Sequence, residues 1–298
     1  MKNARALLLV IALALFVATA FFAVTPASAQ TAQVLRDQSI DSPIMGRKLT
    51  FNLYRPASTE PLPTLYMLHG YNGGRKDWLG GGNLARTMDR LIADGTIRPM
   101  IVVMPDAGNS WYVDNPDRGG AGPIAAALLD DLIPGVEKAM GAMGTRETRA
   151  IAGLSMGGYG AIRLAAHHPD MFVSAVSLSG ALFPDVPEDK RVPFSEKQIK
   201  LFSGAFGTPL EPSRFNAVGV QKPLFSLTTM TSPPQFLLMV GDDDYFGLWR
   251  GAFAIFTSYR DAGIPIELRV RDGDHTWRQW SSDLPEALKF IDDHFPVR

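Results

Sequence analysis

The chain has 298 residues, 46% of them hydrophobic and 20% charged, with a formal net charge of −1 and no cysteine. This composition suits one large α/β domain. It excludes disulfides, thiolate chemistry, Cys-ligated zinc and a lipid-modified amino-terminal cysteine, and the lack of a broad basic field argues against nucleic acid as a partner.

At the amino terminus, Lys2 and Arg5 precede an uncharged apolar stretch from Leu7 to Val24, and Pro26-Ala27-Ser28-Ala29 follows. That is the basic, apolar, A-x-A order of a secretory signal. The expectation is export, secreted or periplasmic, with residues 1–29 removed and a single catalytic domain over 30–298. The mature chain would carry a formal charge of −3. An uncleaved anchor is the alternative, because 18 apolar residues is the lower limit for crossing a bilayer. No later segment reads as a membrane span, and no repeat or linker divides the rest. Oligomeric state is not encoded in these patterns.

Residues 47–54, RKLTFNLY, alternate Leu49, Phe51 and Leu53 with polar or amphipathic positions. They read as a half-buried strand in an antiparallel edge pair with 34–40. Beyond it, PTLYMLHG, PMIVVMPD, RAIAGLS, FVSAVSLSG and QFLLMVGDD are short apolar runs ending in Gly, Asp or Ser. Such runs suit strands buried on both faces of a parallel sheet.

Helical spacing falls between them: Leu84, Met88, Leu91 and Ile92; Leu128, Leu129, Leu132, Ile133 and Val136; Trp249, Phe253 and Phe256; Leu284, Leu288 and Ile291. The alternation predicts an α/β fold with a mostly parallel sheet and helices on both faces. Sites in such sheets lie beyond the carboxyl ends of the strands, where LHG, PDAG, GLS and GDDD all fall. Residues 183–234 are too long for a plain connection and predict a partly helical cap over the site.

Gly153-Leu154-Ser155-Met156-Gly157 fits the G-x-S-x-G frame of a strand-to-helix turn that exposes a nucleophile. A serine hydroxyl needs a base, and an acid to orient that base. Five histidines are candidates. His69 lies upstream at a strand end; His167 and His168 suit a surface role at the end of the helix that Ser155 opens; His294 suits a solvated one. His275, in RDGDHTWRQW after the strand around 266–270, fits the last place in a Ser, Asp, His order. The acid then comes from Asp242, Asp243 or Asp244; their spacing lacks the alternation of a calcium loop, and spacing alone does not choose among them. An oxyanion hole needs the N–H after the nucleophile, on Met156, and a second from LHGYNGGRKDW, with Tyr71 as the candidate donor.

The stretches LHGYNGGRKDWLGGGNLARTMDRLIADG, PMIVVMPDAGNSWYVD, RAIAGLSMGGYGAIRLAAHHPDMF, VGDDDYF and GDHTWRQW resemble the esterase D or "putative esterase" family of α/β-hydrolases, especially its secreted carboxylesterase, tributyrin-esterase and feruloyl-esterase branches. The resemblance covers roughly residues 45–294 and implies an α/β-hydrolase fold. It makes Ser155 the nucleophile, His275 the base and Asp244 the acid, with Asp243 as a one-residue alternative. It also implies backbone donors at Tyr71 and Met156, and an active-site-edge loop in which Trp111 and Tyr112 are candidate substrate contacts or core rings.

The expected activity is hydrolysis of short-chain acyl, cinnamoyl or acetyl-sugar esters through an acyl-enzyme, with a small-molecule or carbohydrate ester as substrate and neither metal nor organic cofactor. Two alternatives remain at this stage. One is an acyltransferase of the mycolyltransferase type, and the other is a catalytically idle binding protein on the same scaffold.

Overall fold

The computed structural model describes residues 32–115, 121–202 and 204–296, and the expected signal over 1–29 lies outside them. The first strands are β1 (Gln33–Ser42), β2 (Arg47–Arg55) and β3 (Thr64–Leu68), followed by the one-turn helix α1 (Asp77–Gly80), α2 (Leu84–Ala93) and β4 (Ile101–Pro105). Next, α3 (Ile124–Ala126) runs through a π-helical turn into α4 (Ile133–Met140), and β5 (Arg149–Leu154) leads to α5 (Met156–His167) and β6 (Ser174–Leu178). Three short helices follow: α6 (Glu196–Leu201), α7 (Pro212–Ala217) and α8 (Leu224–Thr228). The chain closes with β7 (Gln235–Gly241), α9 (Trp249–Asp261), β8 (Ile266–Arg271) and α10 (Trp277–His294).

The eight strands form one sheet in the order β1-β2-β4-β3-β5-β6-β7-β8. The β1–β2 and β2–β4 pairs are antiparallel, and every later pair is parallel. This is the α/β-hydrolase arrangement that the sequence predicts, with the edge pair extended a residue or two beyond the expected bounds.

Strand periodicity divides the core into two layers. On β3, Leu65 and Met67 face one layer with Leu84 of α2 and Leu288 of α10, while Tyr66 and Leu68 face the other with Val136 of α4 and Ile162 of α5. Each fully buried leucine or isoleucine contributes about 1.5–3 kcal/mol of transfer free energy. Continuous apolar runs therefore serve both faces, and no residue of β3, β4, β5 or β6 is exposed.

The helix over 249–261 forms as expected, and of its three spaced aromatics Trp249 and Phe256 pack partly buried against the core. Its buried residues are Ala252, Ile255 and Tyr259, and Phe253 is 46% exposed. Among the described residues no helix is long and apolar enough to cross a membrane.

The segment between β6 and β7 holds α6, α7 and α8 and lies as the expected cap. It is fastened to the helix that Ser155 opens. Tyr159 Oη and Arg163 Nε donate to the Val218 carbonyl at 2.7 and 3.1 Å, and His167 Nε2 donates to Gly219 O at 2.8 Å. Tyr259 Oη adds a fourth bond, to Val220 O at 2.6 Å. His167 is thus a half-buried clamp on the cap and not the surface residue its position suggests. Burial first, with Arg163 nearby second, pulls its pKa down to about 4.

Candidate active site

Ser155 sits between the end of β5 and the first residue of α5 with φ 53° and ψ −118°. A β-carbon in this left-handed region is strained, and the surroundings hold it there. Its amide donates to Leu178 O at 2.9 Å, and its carbonyl accepts from Tyr159 N at 3.0 Å and Ala181 N at 3.1 Å. The flanking glycines are required by close approach. A β-carbon on Gly153 would lie 2.3 Å from Gly157 O, and one on Gly157 would lie 2.5 Å from Leu68 O and 2.6 Å from His69 O.

His275 lies in the turn between β8 and α10, and Asp244 just beyond β7. His275 Nε2 is 3.0 Å from Ser155 Oγ, and its Nδ1 is 2.7 Å from Asp244 Oδ2. An ionised carboxylate only accepts, so the network assigns the imidazole proton to Nδ1 and leaves the Nε2 lone pair facing the serine. Asp244 is 4% exposed, and its other oxygen accepts the Phe246 amide at 2.9 Å. The neighbouring Asp243 is exposed, its carboxylate gathered with those of Asp242 and Asp272 away from this chain of bonds. Of the three consecutive aspartates, the structure brings Asp244 to the histidine.

Tyr71 lies in the turn Gly70–Gly73, closed by a bond from Gly73 N to Gly70 O at 3.1 Å. Met156 is the first residue of α5, where an amide has no carbonyl one turn earlier to bond. His69, left without a role by the sequence, is buried and tautomerically fixed: its Nδ1–H donates to Gly70 O at 2.8 Å and its Nε2 accepts the Ala107 amide at 3.0 Å. Burial lowers its pKa. It therefore ties the Tyr71 turn to the loop after β4 as a neutral imidazole.

A cavity of about 530 Å³ opens above Ser155, and Tyr71, Trp111 and His275 line it. The cap supplies Phe183, Phe194 and Phe202, and Tyr245, Phe246 and Trp277 line it as well. Trp111 is 5% exposed; its indole N–H is bonded to Leu201 O at 2.9 Å and its ring packs edge-on to Phe202 at 5.2 Å.

Tyr112 requires a correction, because it does not reach the cavity. It is fully buried, with its hydroxyl on His69 O at 2.9 Å and its carbonyl accepting from Arg163 at 3.1 Å. Both residues have positive φ, 56° and 55°, so the backbone turns sharply between them and sends only Trp111 to the pocket wall. The cap phenylalanines escaped sequence reading because they lie far from any motif. Tyr245 and Phe246 had a visible signal, two aromatics directly after the acid in VGDDDYF.

A family model described as "Putative esterase" matches residues 42–291. An acetyl esterase of Caldicellulosiruptor saccharolyticus is 26% identical over 246 residues, 80% of this chain and 86% of that protein. An endo-1,4-beta-xylanase/feruloyl esterase of Xylanibacter ruminicola is 30% identical over 69% of this chain, which spans 28% of the length of that relative. Among solved structures, a ferulic acid esterase superposes with a TM-score of 0.71 at 27% identity, covering 89% of this chain and 99% of the other. MPT51 of Mycobacterium tuberculosis, TM-score 0.68 at 20% identity, shares the fold. With the family match spanning most of its length, the chain belongs to the "Putative esterase" family and is a carboxylesterase of the α/β-hydrolase fold.

Proposed function

We propose that the protein hydrolyses short-chain acyl, cinnamoyl or acetyl-sugar esters through a covalent acyl-enzyme on Ser155. The observation that carries this reading is the unbroken hydrogen-bonded line Ser155–His275–Asp244, set at the floor of an aromatic-walled cavity.

His275 Nε2 takes the Ser155 proton as Oγ attacks the ester carbonyl carbon, and Asp244 holds the imidazolium that forms. The amides of Met156 and Tyr71 receive the oxyanion, where preorganised donors act on charge that develops only in the transition state. His275 then protonates the departing alkoxide. In the second half, His275 takes a proton from water, the hydroxide attacks the acyl carbon, and Ser155 regains its proton as the acid leaves. Every proton transfer is served by these residues and water.

The cavity volume suits acyl groups up to a substituted cinnamoyl, and the similarity to acetyl and feruloyl esterases supports small or carbohydrate-borne esters. Residues 1–29 have the composition of an export signal, so the reading includes a secreted or periplasmic enzyme.

The test is turnover of p-nitrophenyl esters from acetyl to dodecanoyl, and of methyl ferulate, by the wild type and Ser155→Ala. The expected result is wild-type turnover and a loss on the order of 10⁴-fold in the variant. Equal activity of the two would refute Ser155 as nucleophile, and acyl transfer to an added sugar in place of free acid would make the protein a transferase.

A further inference from the structure

Tyr245 and Phe246 are 68% and 58% exposed, whereas the other rings that line the cavity are buried or partly buried. They are not loose. Their rings meet at a 45° tilt with centres 4.5 Å apart, and both stand edge-on to the His275 imidazole, Phe246 at 5.0 Å and Tyr245 at 5.8 Å. The Phe246 amide is held by Asp244 Oδ1 and the Gly247 amide by Asp244 O at 2.7 Å. The residue that orients His275 therefore also fixes the aromatic pair. Large apolar rings kept in solvent at the mouth of a cavity are a poor use of folding free energy and mark a contact surface.

The chemistry says which half of an ester meets them. In the hydrolase reading, on which this inference rests, His275 hands its proton to the leaving oxygen, so the alcohol departs on the side where His275 stands. Groups that flank the imidazole flank the alcohol. The interlocked wall of Phe183, Phe194 and Phe202, with ring centres 5.0 to 5.9 Å apart, is left to bound the acyl group. We propose that Tyr245 and Phe246 form a platform for the alcohol half of the substrate and select alcohols that present a ring face, that of an aryl group or the C–H face of a pyranose, over open-chain ones.

The consequence is kinetic. The alcohol is gone once the acyl-enzyme forms, so the platform acts on acylation and not on deacylation. The experiment compares three acetate esters, benzyl acetate, a methyl 6-O-acetylglucopyranoside and ethyl acetate, on the wild type, Tyr245→Ala/Phe246→Ala and the bulk-preserving Tyr245→Leu/Phe246→Leu. Breakdown of the shared acetyl-enzyme is followed separately in single turnover. The expected result is a fall of about tenfold in the ring-to-ethyl ratio of kcat/KM, the size of two aromatic contacts, with acetyl-enzyme breakdown unchanged within about twofold in the leucine variant. A fall confined to the benzyl or to the sugar ester identifies the ring class that the platform takes. An unchanged ratio overturns the platform while leaving the hydrolase reading intact. An equal fall for all three esters and for acetyl-enzyme breakdown overturns it too, because the rings would then only shield His275. A wild type inert to all three, in a preparation equally inert to p-nitrophenyl esters, sinks the hydrolase reading and the platform with it.

Discussion

The imidazole of His275 and the indole of Trp280 meet at right angles with ring centres 5.0 Å apart, and the indole N–H is bonded to Ser179 Oγ at 3.1 Å. Ser179 lies just past β6 with φ 45°, and its amide is held by Met239 O of β7 at 2.7 Å. The wall against His275 is thereby anchored to two strands. Trp280→Phe keeps a ring but loses that bond, leaving the buried Ser179 hydroxyl without its donor. We expect about a tenfold loss in kcat with KM little changed, and steady-state kinetics on one p-nitrophenyl ester decides it.

Asp244→Asn removes the acceptor that fixes the proton on His275 Nδ1. Loss of an orienting carboxylate in such a relay costs about 10⁴-fold in kcat. Asp243→Asn, one residue away and exposed, is expected to stay within about twofold of the wild type. Parallel assays of the two variants test the choice between neighbouring aspartates.

Gly157→Ala places a methyl group against two backbone carbonyls, which cannot rotate aside. Destabilisation of at least about 2 kcal/mol is expected, in the upper half of the usual range for overpacking or above it. Gly80→Ala, whose added carbon meets nothing within 4 Å, serves as a control near zero. Urea midpoints at a common m-value compare them.

The fastening of the cap should weaken in acid. His167 has a folded-state pKa of about 4, below the ordinary value near 6.5. The unfolded chain therefore binds the proton first as pH falls. Stability is greatest above about pH 6.5 and declines down to about pH 4, by on the order of 2–3 kcal/mol for this group. His69, also lowered by burial, adds to the slope. In His167→Gln, which can still donate to Gly219 O, the decline should be shallower; urea unfolding at pH 7 and pH 4.5 measures it.

Phe202→Ala opens the cap wall against Trp111. The optimum for p-nitrophenyl esters is expected to move to longer acyl chains, with kcat on the acetyl ester within about threefold. A chain-length profile reads the shift.

Much of this was legible because local chemistry left few choices. Gly153 and Gly157 announced the turn, the sole downstream histidine in a strand-end loop was His275, and continuous apolar runs marked strands buried on both faces. The failures share a cause, which is that spacing fixes an element's period and not its surroundings. Trp249, Phe253 and Phe256 mark a helix, yet the residues it buries fully are Ala252, Ile255 and Tyr259, while Trp249 and Phe256 are only partly buried and Phe253 is exposed. Likewise, Trp111 and Tyr112 are neighbours in a loop, and only their consecutive positive φ angles separate a pocket wall from a core ring. His167 reads as a solvated helix end until residues 218–220, fifty positions later, arrive to cover it.

The helix that begins after Ser155 has a further consequence through Tyr159, Arg163 and His167, which recur every fourth residue along it and hold the cap. The Ser155 hydroxyl at the head of this helix and the bonds that seat the cap along it share one rod of twelve residues, about 18 Å long. When that rod tilts, both tilt together. The serine and the cap are thus coupled through one helix, with Tyr259 of α9 bracing the cap from a second.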